Sequence, residues 1–226
     1  MKSCLAKAFV ILMACAACIG VAYYFFKKSK PLPVIKPSQV NPILVDESVR
    51  FDKNHTVDFF ELYDQNGNLT DSSFTQGKIH VADFFFTTCQ TICPIMNGKM
   101  DALAQRFDPI EDDIRFLSFS VLPDEDSIPV LHDYAVAYGV RYPQWRLLTG
   151  DKSIIYDLAR TSYFTLKPAE VGQGDGGNSD FIHTNNFVLV DDQQRIRGYY
   201  DGTSDYDMDR LEQAIQQLLE EQEEVD

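Results

Sequence analysis

An open α/β sheet with helices on both faces, carrying an added N-terminal β-hairpin and an N-terminal transmembrane helix, is the fold class this 226-residue sequence predicts. Three observations predict it. Strand-like and helix-like hydrophobic periods alternate through the middle of the chain. An Asn66-Gly67 turn dipeptide joins two strand candidates near the start of the domain. One uncharged run near the N-terminus is long enough to cross a bilayer.

Residues 8–26, AFVILMACAACIGVAYYFF, form that run. Lys2 and Lys7 precede it, Lys27, Lys28 and Lys30 follow it, and Tyr23 and Tyr24 stand where an interfacial aromatic belt would. Residues 1–30 therefore read as a single membrane anchor. A cleaved signal peptide fits less well, because the run ends in aromatics and lysines instead of small residues. Leu12-Met13-Ala14-Cys15 loosely resembles a lipobox, but the apolar stretch continues past Cys15. The flanking lysine count leans weakly toward a cytoplasmic C-terminal domain, whereas the paired thiols described below lean toward an extracytoplasmic one; the second orientation is the expectation.

Four prolines in residues 31–42 make residues 31–45 a Pro-rich linker, expected to act as a semi-rigid polyproline stalk. Residues 46–222 form the domain and 223–226 an acidic tail. The charge is uneven: residues 1–30 carry five Lys and no acid, leaving 15 basic against 34 acidic groups in the remainder. Nucleic acid would be repelled, so no nucleic-acid partner is expected. A content of 45% hydrophobic residues, with 16 Phe and 11 Tyr, supplies a core and argues against disorder.

Within the domain, residues 55–63 and 69–74 flank the Asn-Gly turn as the hairpin. Residues 78–86 are a strand, and Pro94 followed by Met96, Met100, Leu103, Ala104 and Phe107 at helical spacing marks a helix. A strand over 115–121 and a helix over 128–138 stopped by Gly139 come next. A short strand over 145–148 and a helix over 153–160 follow. The Gly-rich stretch 172–179 reads as a mobile loop. A strand pair over 186–190 and 197–200 turns at 191–194. Leu211, Ile215, Leu218 and Leu219 define one face of a last helix, with 220–226 frayed.

Five cysteines occur, and Cys4, Cys15 and Cys18 belong to the anchor region. Cys89 and Cys93 remain, beyond the carboxyl end of a central strand, where open sheets place their ligands. Joined to each other they would close too small a ring to be a useful staple. A redox couple and a metal site both stay open. A thiol at a helix N-terminus is expected to deprotonate more easily, which serves either. Among the histidines, His80 sits within a strand, His132 on a polar helix face, and His55 is uninformative. His183 follows the Gly-rich loop and opens a strand. Two thiolates and one imidazole are a soft, low-coordinate set suited to copper, whereas structural zinc usually takes a fourth protein ligand. Met96 and Met100 have the spacing of core residues. Asp83 interrupts an apolar strand six residues before Cys89, as a paired carboxylate or a proton acceptor for a thiol.

The segments FFFTTCQTICP, SFSVLPDEDSIPVLHDYA, WRLLTG, DFIHTNNFVLVD and RGYYDGT resemble the Sco/SenC family of thioredoxin-like copper proteins over about residues 50–220. The family pairs a CxxxCP motif with a His about ninety residues later, and Cys93 and His183 are ninety apart. The resemblance implies a thioredoxin-like fold with a central mixed sheet, and a copper ion held by Cys89, Cys93 and His183. It also implies membrane-anchored delivery of copper to the copper-receiving subunit of cytochrome c oxidase, from an extracytoplasmic (periplasmic) domain on the inner membrane. A thioredoxin-like reductant is the further partner expected. Gln90 stands where the family commonly has Pro, and Leu122-Pro123 where it commonly has Asp-Pro; neither is a ligand position, and Gln90 is expected to loosen the loop. Asp83 and Asp180 are the candidates for support around the site, Asp180 as the residue that orients His183. The alternative function is a membrane-tethered thiol–disulfide reductase with Cys89 and Cys93 as its redox pair. His183 discriminates, since a reductase does not need it.

Overall fold

Among the described residues, seven strands join in one mixed sheet in the order β2-β1-β5-β4-β3-β6-β7. The computed structural model describes residues 13–16, 18, 31–108, 113–165 and 185–223. The strands are β1 Glu61–Asp64, β2 Leu69–Asp71, β3 Ile79–Phe85, β4 Ile114–Ser120, β5 Trp145–Thr149, β6 Asn186–Val190 and β7 Ile196–Asp201. The helices are α1 Cys93–Phe107, α2 Ile128–Tyr138, α3 Lys152–Asp157, which runs on as a π-helical turn Leu158–Ser162, and α4 Asp205–Glu223. Strands β3, β4 and β5 are parallel, while the β1–β2 hairpin and the β6–β7 pair add antiparallel edges. This is the predicted mixed sheet with its added N-terminal hairpin, and β3 lies near the middle.

Alternation along the strands separates two cores. Ala82, Phe84, Leu117, Phe119, Val188 and Val190 cluster with Ile155, Leu158, Ala159 and Tyr163 from the α3 region. The opposite face carries Val81, Asp83, Phe85, Phe116 and Ser118. There the Phe85 and Tyr134 rings meet at 5.5 Å, and Asn97 of α1 donates to Tyr134 of α2. Helix α4 flanks α1 through ion pairs of Lys99 with Asp205 and Arg106 with Glu212. The α1 core positions are the ones the spacing predicts: Met96, Met100, Leu103, Ala104 and Phe107 are all buried. Gly139 ends α2 in the left-handed conformation at φ 68°, which a side chain would oppose.

Three elements differ from the sequence expectation. The first hairpin strand is regular only from Glu61, because residues 55–60 bond elsewhere: Val57 N–H donates to Gln194 O and Phe60 N–H to Ser72 Oγ. The Pro-rich segment does not stand free as a stalk. The chain divides into units Met1–Leu32 and Pro33–Asp226, so most of 31–45 belongs to the domain. Its prolines start two short 3₁₀ turns, Pro37–Gln39 and Pro42–Leu44, Ile35 N–H donates to Ile196 O at 2.8 Å, and Pro37 and Val45 are buried. Third, α4 continues to Glu223 through part of the acidic stretch expected to fray. Glu221 is held there by Arg197 Nη2 at 2.9 Å, and the same guanidinium reaches the buried Asp191 through Nη1 at 2.9 Å.

In the first unit, residues 13–16 and 18 are helical and exposed. Among the described residues no helix is long and apolar enough to cross a membrane, and most of the 8–26 run lies outside them.

Candidate metal centre

Strand β3 delivers the thiol loop. It ends at Phe85, the chain turns through residues 86–92, and α1 begins at Cys93 with Pro94 in its first turn. Proline suits that position because its missing N–H would have had no helical partner. Cys89 N–H donates to Phe86 O at 3.3 Å, and Cys89 Sγ lies 3.8 Å from Thr91 Oγ1. Both side chains are thiols and both are buried, with 7% and 1% of the surface of Cys89 and Cys93 exposed. The two side chains are hydrogen-bonded to each other.

The helix N-terminus does not make Cys93 acidic. Burial pushes its thiol well above the ordinary range, and the hydrogen bond with Cys89 adds to this, while the Phe86 backbone opposes both. In a site this enclosed the desolvation of a thiolate outweighs the helix dipole, so Cys93 keeps its proton until something displaces it.

Behind the thiols lies a buried polar layer. Asp83 is 2% exposed and accepts from Ser118 Oγ at 2.5 Å; Ser118 Oγ in turn accepts from Trp145 Nε1 at 3.0 Å. Register pairs Asp83 directly with Ser118, so both side chains leave the sheet on the same face. Burial raises the Asp83 carboxyl to about 7, against the Ser118 hydrogen bond. Asn97, one helical turn after Cys93, is buried and donates to Tyr134 Oη. Burial also pushes the Tyr134 hydroxyl upward, so that hydroxyl keeps its proton.

Of the sequence-predicted site residues, Cys89 and Cys93 come together with Asp83 in the strand beneath, whereas Asp180 and His183 lie outside the described residues. Asn185, two residues after His183, is fixed: its Nδ2 donates to Asp201 Oδ1 at 2.6 Å and its carbonyl accepts from Gly202 N–H at 2.6 Å. A side chain at Gly202 would crowd this junction. A Cβ would lie 2.9 Å from Phe187 Cε2 and 3.2 Å from Met96 Cε in the first turns of α1. Among the described residues no three His, Cys, Asp or Glu side chains are grouped to hold a metal. His80 is a core residue with Nε2 3.0 Å from Tyr163 Oη, His132 is exposed, and His55 Nε2 sits 2.9 Å from Ser162 O. Reasoning from sequence missed Asp126, Asn97, Ser118 and Tyr134. Asp126 hides in an acidic run that reads as a solvated loop, and the other three look like ordinary strand and helix positions.

The SCO1/SenC family profile matches residues 49–220. The SCO1 protein homolog of Bacillus subtilis is 30% identical over 159 residues, covering 70% of this chain and 80% of its own. A SCO1/SenC family lipoprotein from Bacillus anthracis superposes with a TM-score of 0.62 at 28% identity, over 75% of this chain and 98% of its own. BsSco, a member of the Sco family of cytochrome c oxidase assembly proteins in which a disulfide switch was identified, gives 0.60 at 28% identity, over 73% and 93%.

Proposed function

The chain belongs to the SCO1/SenC family, and from that premise we propose that it is a membrane-anchored copper-binding protein that delivers copper to cytochrome c oxidase during its assembly. The observation that carries this reading is the pair of buried, mutually hydrogen-bonded thiols of Cys89 and Cys93 where β3 meets α1. Thiol donors select soft metals, and the enclosure keeps water and hard oxygen ligands away. His183 is the third ligand in this proposal, as neutral imidazole oriented by Asp180. Copper is held by thiolate, so the proton that burial keeps on Cys93 would pass to a nearby base as the metal enters instead of being lost in advance. Asp83, raised to about 7 by burial, is the proposed proton acceptor in the adjoining layer. An unshifted thiol titration in Asp83→Asn would remove it from that role.

Residues 1–30 anchor the protein in the inner membrane in this reading, with the domain extracytoplasmic beside the copper-receiving subunit. Protection of the domain from protease in intact spheroplasts would overturn that orientation. A second reading is favoured by the disulfide switch of BsSco: a tethered thiol–disulfide reductase. Here Cys89 and Cys93 close to a disulfide as two electrons and two protons pass to the cystine of a partner, and a thioredoxin-like reductant reopens it. Oxidation would likewise release bound copper, because a disulfide is no longer a ligand.

Anaerobic copper titration of the reduced protein separates the two. A charge-transfer absorption band that is present in wild type and lost in Cys89→Ser, Cys93→Ser and His183→Ala is expected for the copper protein. Retained disulfide exchange without any such band would assign the reductase instead.

A further inference from the structure

The loop that carries Cys89 is tied to the sheet by a buried carboxylate with no part in the ligand set. Asp126 is fully buried, although it arises in the polar run Pro123-Asp124-Glu125-Asp126-Ser127 ahead of α2. Thr87 Oγ1 donates to its Oδ1 at 2.5 Å, and Thr87 N–H approaches Oδ2 at 3.2 Å and Oδ1 at 3.4 Å. Ser120 Oγ, at the end of β4, donates to Oδ2 at 2.5 Å. The turn around the carboxylate is itself closed: Asp126 N–H donates to Leu122 O at 2.8 Å, Leu122 N–H to Ser120 Oγ at 3.2 Å, and Val121 N–H to Phe85 O at 2.9 Å. One carboxylate thus bridges the end of β4 to the residue two before Cys89, using both the backbone and the side chain of Thr87.

We propose that Asp126 is a positioning residue for the thiol pair: by clamping Thr87 it holds Cys89 beside Cys93 and sets how readily the two close to a disulfide. The inference rests on the reading of Cys89 and Cys93 as a functional pair and requires no metal. Ring closure between two side chains depends on how much freedom each must lose, so a loop held in advance raises the effective concentration of one thiol at the other.

The test is the equilibrium with a dithiothreitol redox buffer, in which two thiols of the protein lose two electrons and two protons to oxidised dithiothreitol. Asp126→Ala is expected to lower the protein disulfide's equilibrium constant about tenfold, which for a two-electron couple is about 30 mV. Asp126→Asn retains one acceptor oxygen for Thr87 and should recover part of the loss. Thr87→Val, which removes only the hydroxyl bond, should lose about threefold; it carries the test if Asp126→Ala does not fold. Ser120→Ala weakens the same carboxylate's tie to β4 without touching the loop. It should lower the melting temperature and leave the equilibrium within roughly twofold.

An unchanged equilibrium in Thr87→Val and in a folded Asp126→Ala would overturn the proposal. So would an equal shift in Ser120→Ala, which would trace the effect to general stability, or a wild-type protein that forms no intramolecular disulfide. Because no metal enters, this result is independent of the copper titration, whose failure would count against the copper reading alone.

Discussion

Replacing Asp83 by Asn should change how the protein's stability depends on pH, in a direction fixed by burial. The Asp83 carboxyl is raised to about 7 in the folded protein, whereas an aspartate in an unfolded chain titrates near 3.9. Between those values the native state keeps a proton that the unfolded state has released. Stability therefore falls as pH rises from about 4 to about 7, at about 1.4 kcal/mol per pH unit, and levels off above that. The whole effect is about 4 kcal/mol. Asn cannot ionise but can still accept the hydrogen bond from Ser118 Oγ, so the hydroxyl that also takes Trp145 Nε1–H stays in place. The difference between Asp83→Asn and wild type should be flat below about pH 4, climb in favour of the variant to about pH 7, and stay level beyond. Guanidinium unfolding of the reduced protein in detergent at a series of pH values measures it. A difference that does not vary with pH would refute the claim that Asp83 is buried and protonated at low pH.

His80 should show the opposite slope. Burial lowers its imidazole to about 3, so the unfolded chain takes up a proton below about pH 6.5 that the native state refuses, and stability falls as pH drops toward about 3. His80→Asn should lose that acid sensitivity in the same unfolding series. Arg197→Met should cost about 3–5 kcal/mol in denaturant unfolding, since it strips one partner from the buried Asp191 and frees Glu221 at the end of α4. Adding Asp191→Asn should recover part of the loss. Gly202→Ala should cost about 1–3 kcal/mol by the same assay, because its methyl group would press on Phe187 and Met96 between α1 and the start of β6.

Local chemistry in the sequence determined the order and type of nearly every element of the domain. Asn66-Gly67 set the hairpin, Pro94 the start of α1, Gly139 the end of α2, and the apolar spacing of α1 its buried face, because each depends on residues a few positions apart. The same locality placed Cys89 and Cys93 at the carboxyl end of a central strand. What only the tertiary structure decided depends on neighbours distant in the chain. The prolines of residues 33–45 look like a stalk until Ile35 meets Ile196 on the sheet edge. Cys93 looks like an activated thiol until its burial is known, since a helix dipole is a local feature and desolvation is not. Asp126 and Asp83 are both aspartates in plain sequence settings. Folding brings Thr87 and Ser120 around one and Ser118 against the other, and makes them the two buried carboxylates of the thiol region. Sequence periodicity carries no information about such pairings, because Asp83 meets Ser118 and Asp126 meets Thr87 across 35 and 39 residues of chain.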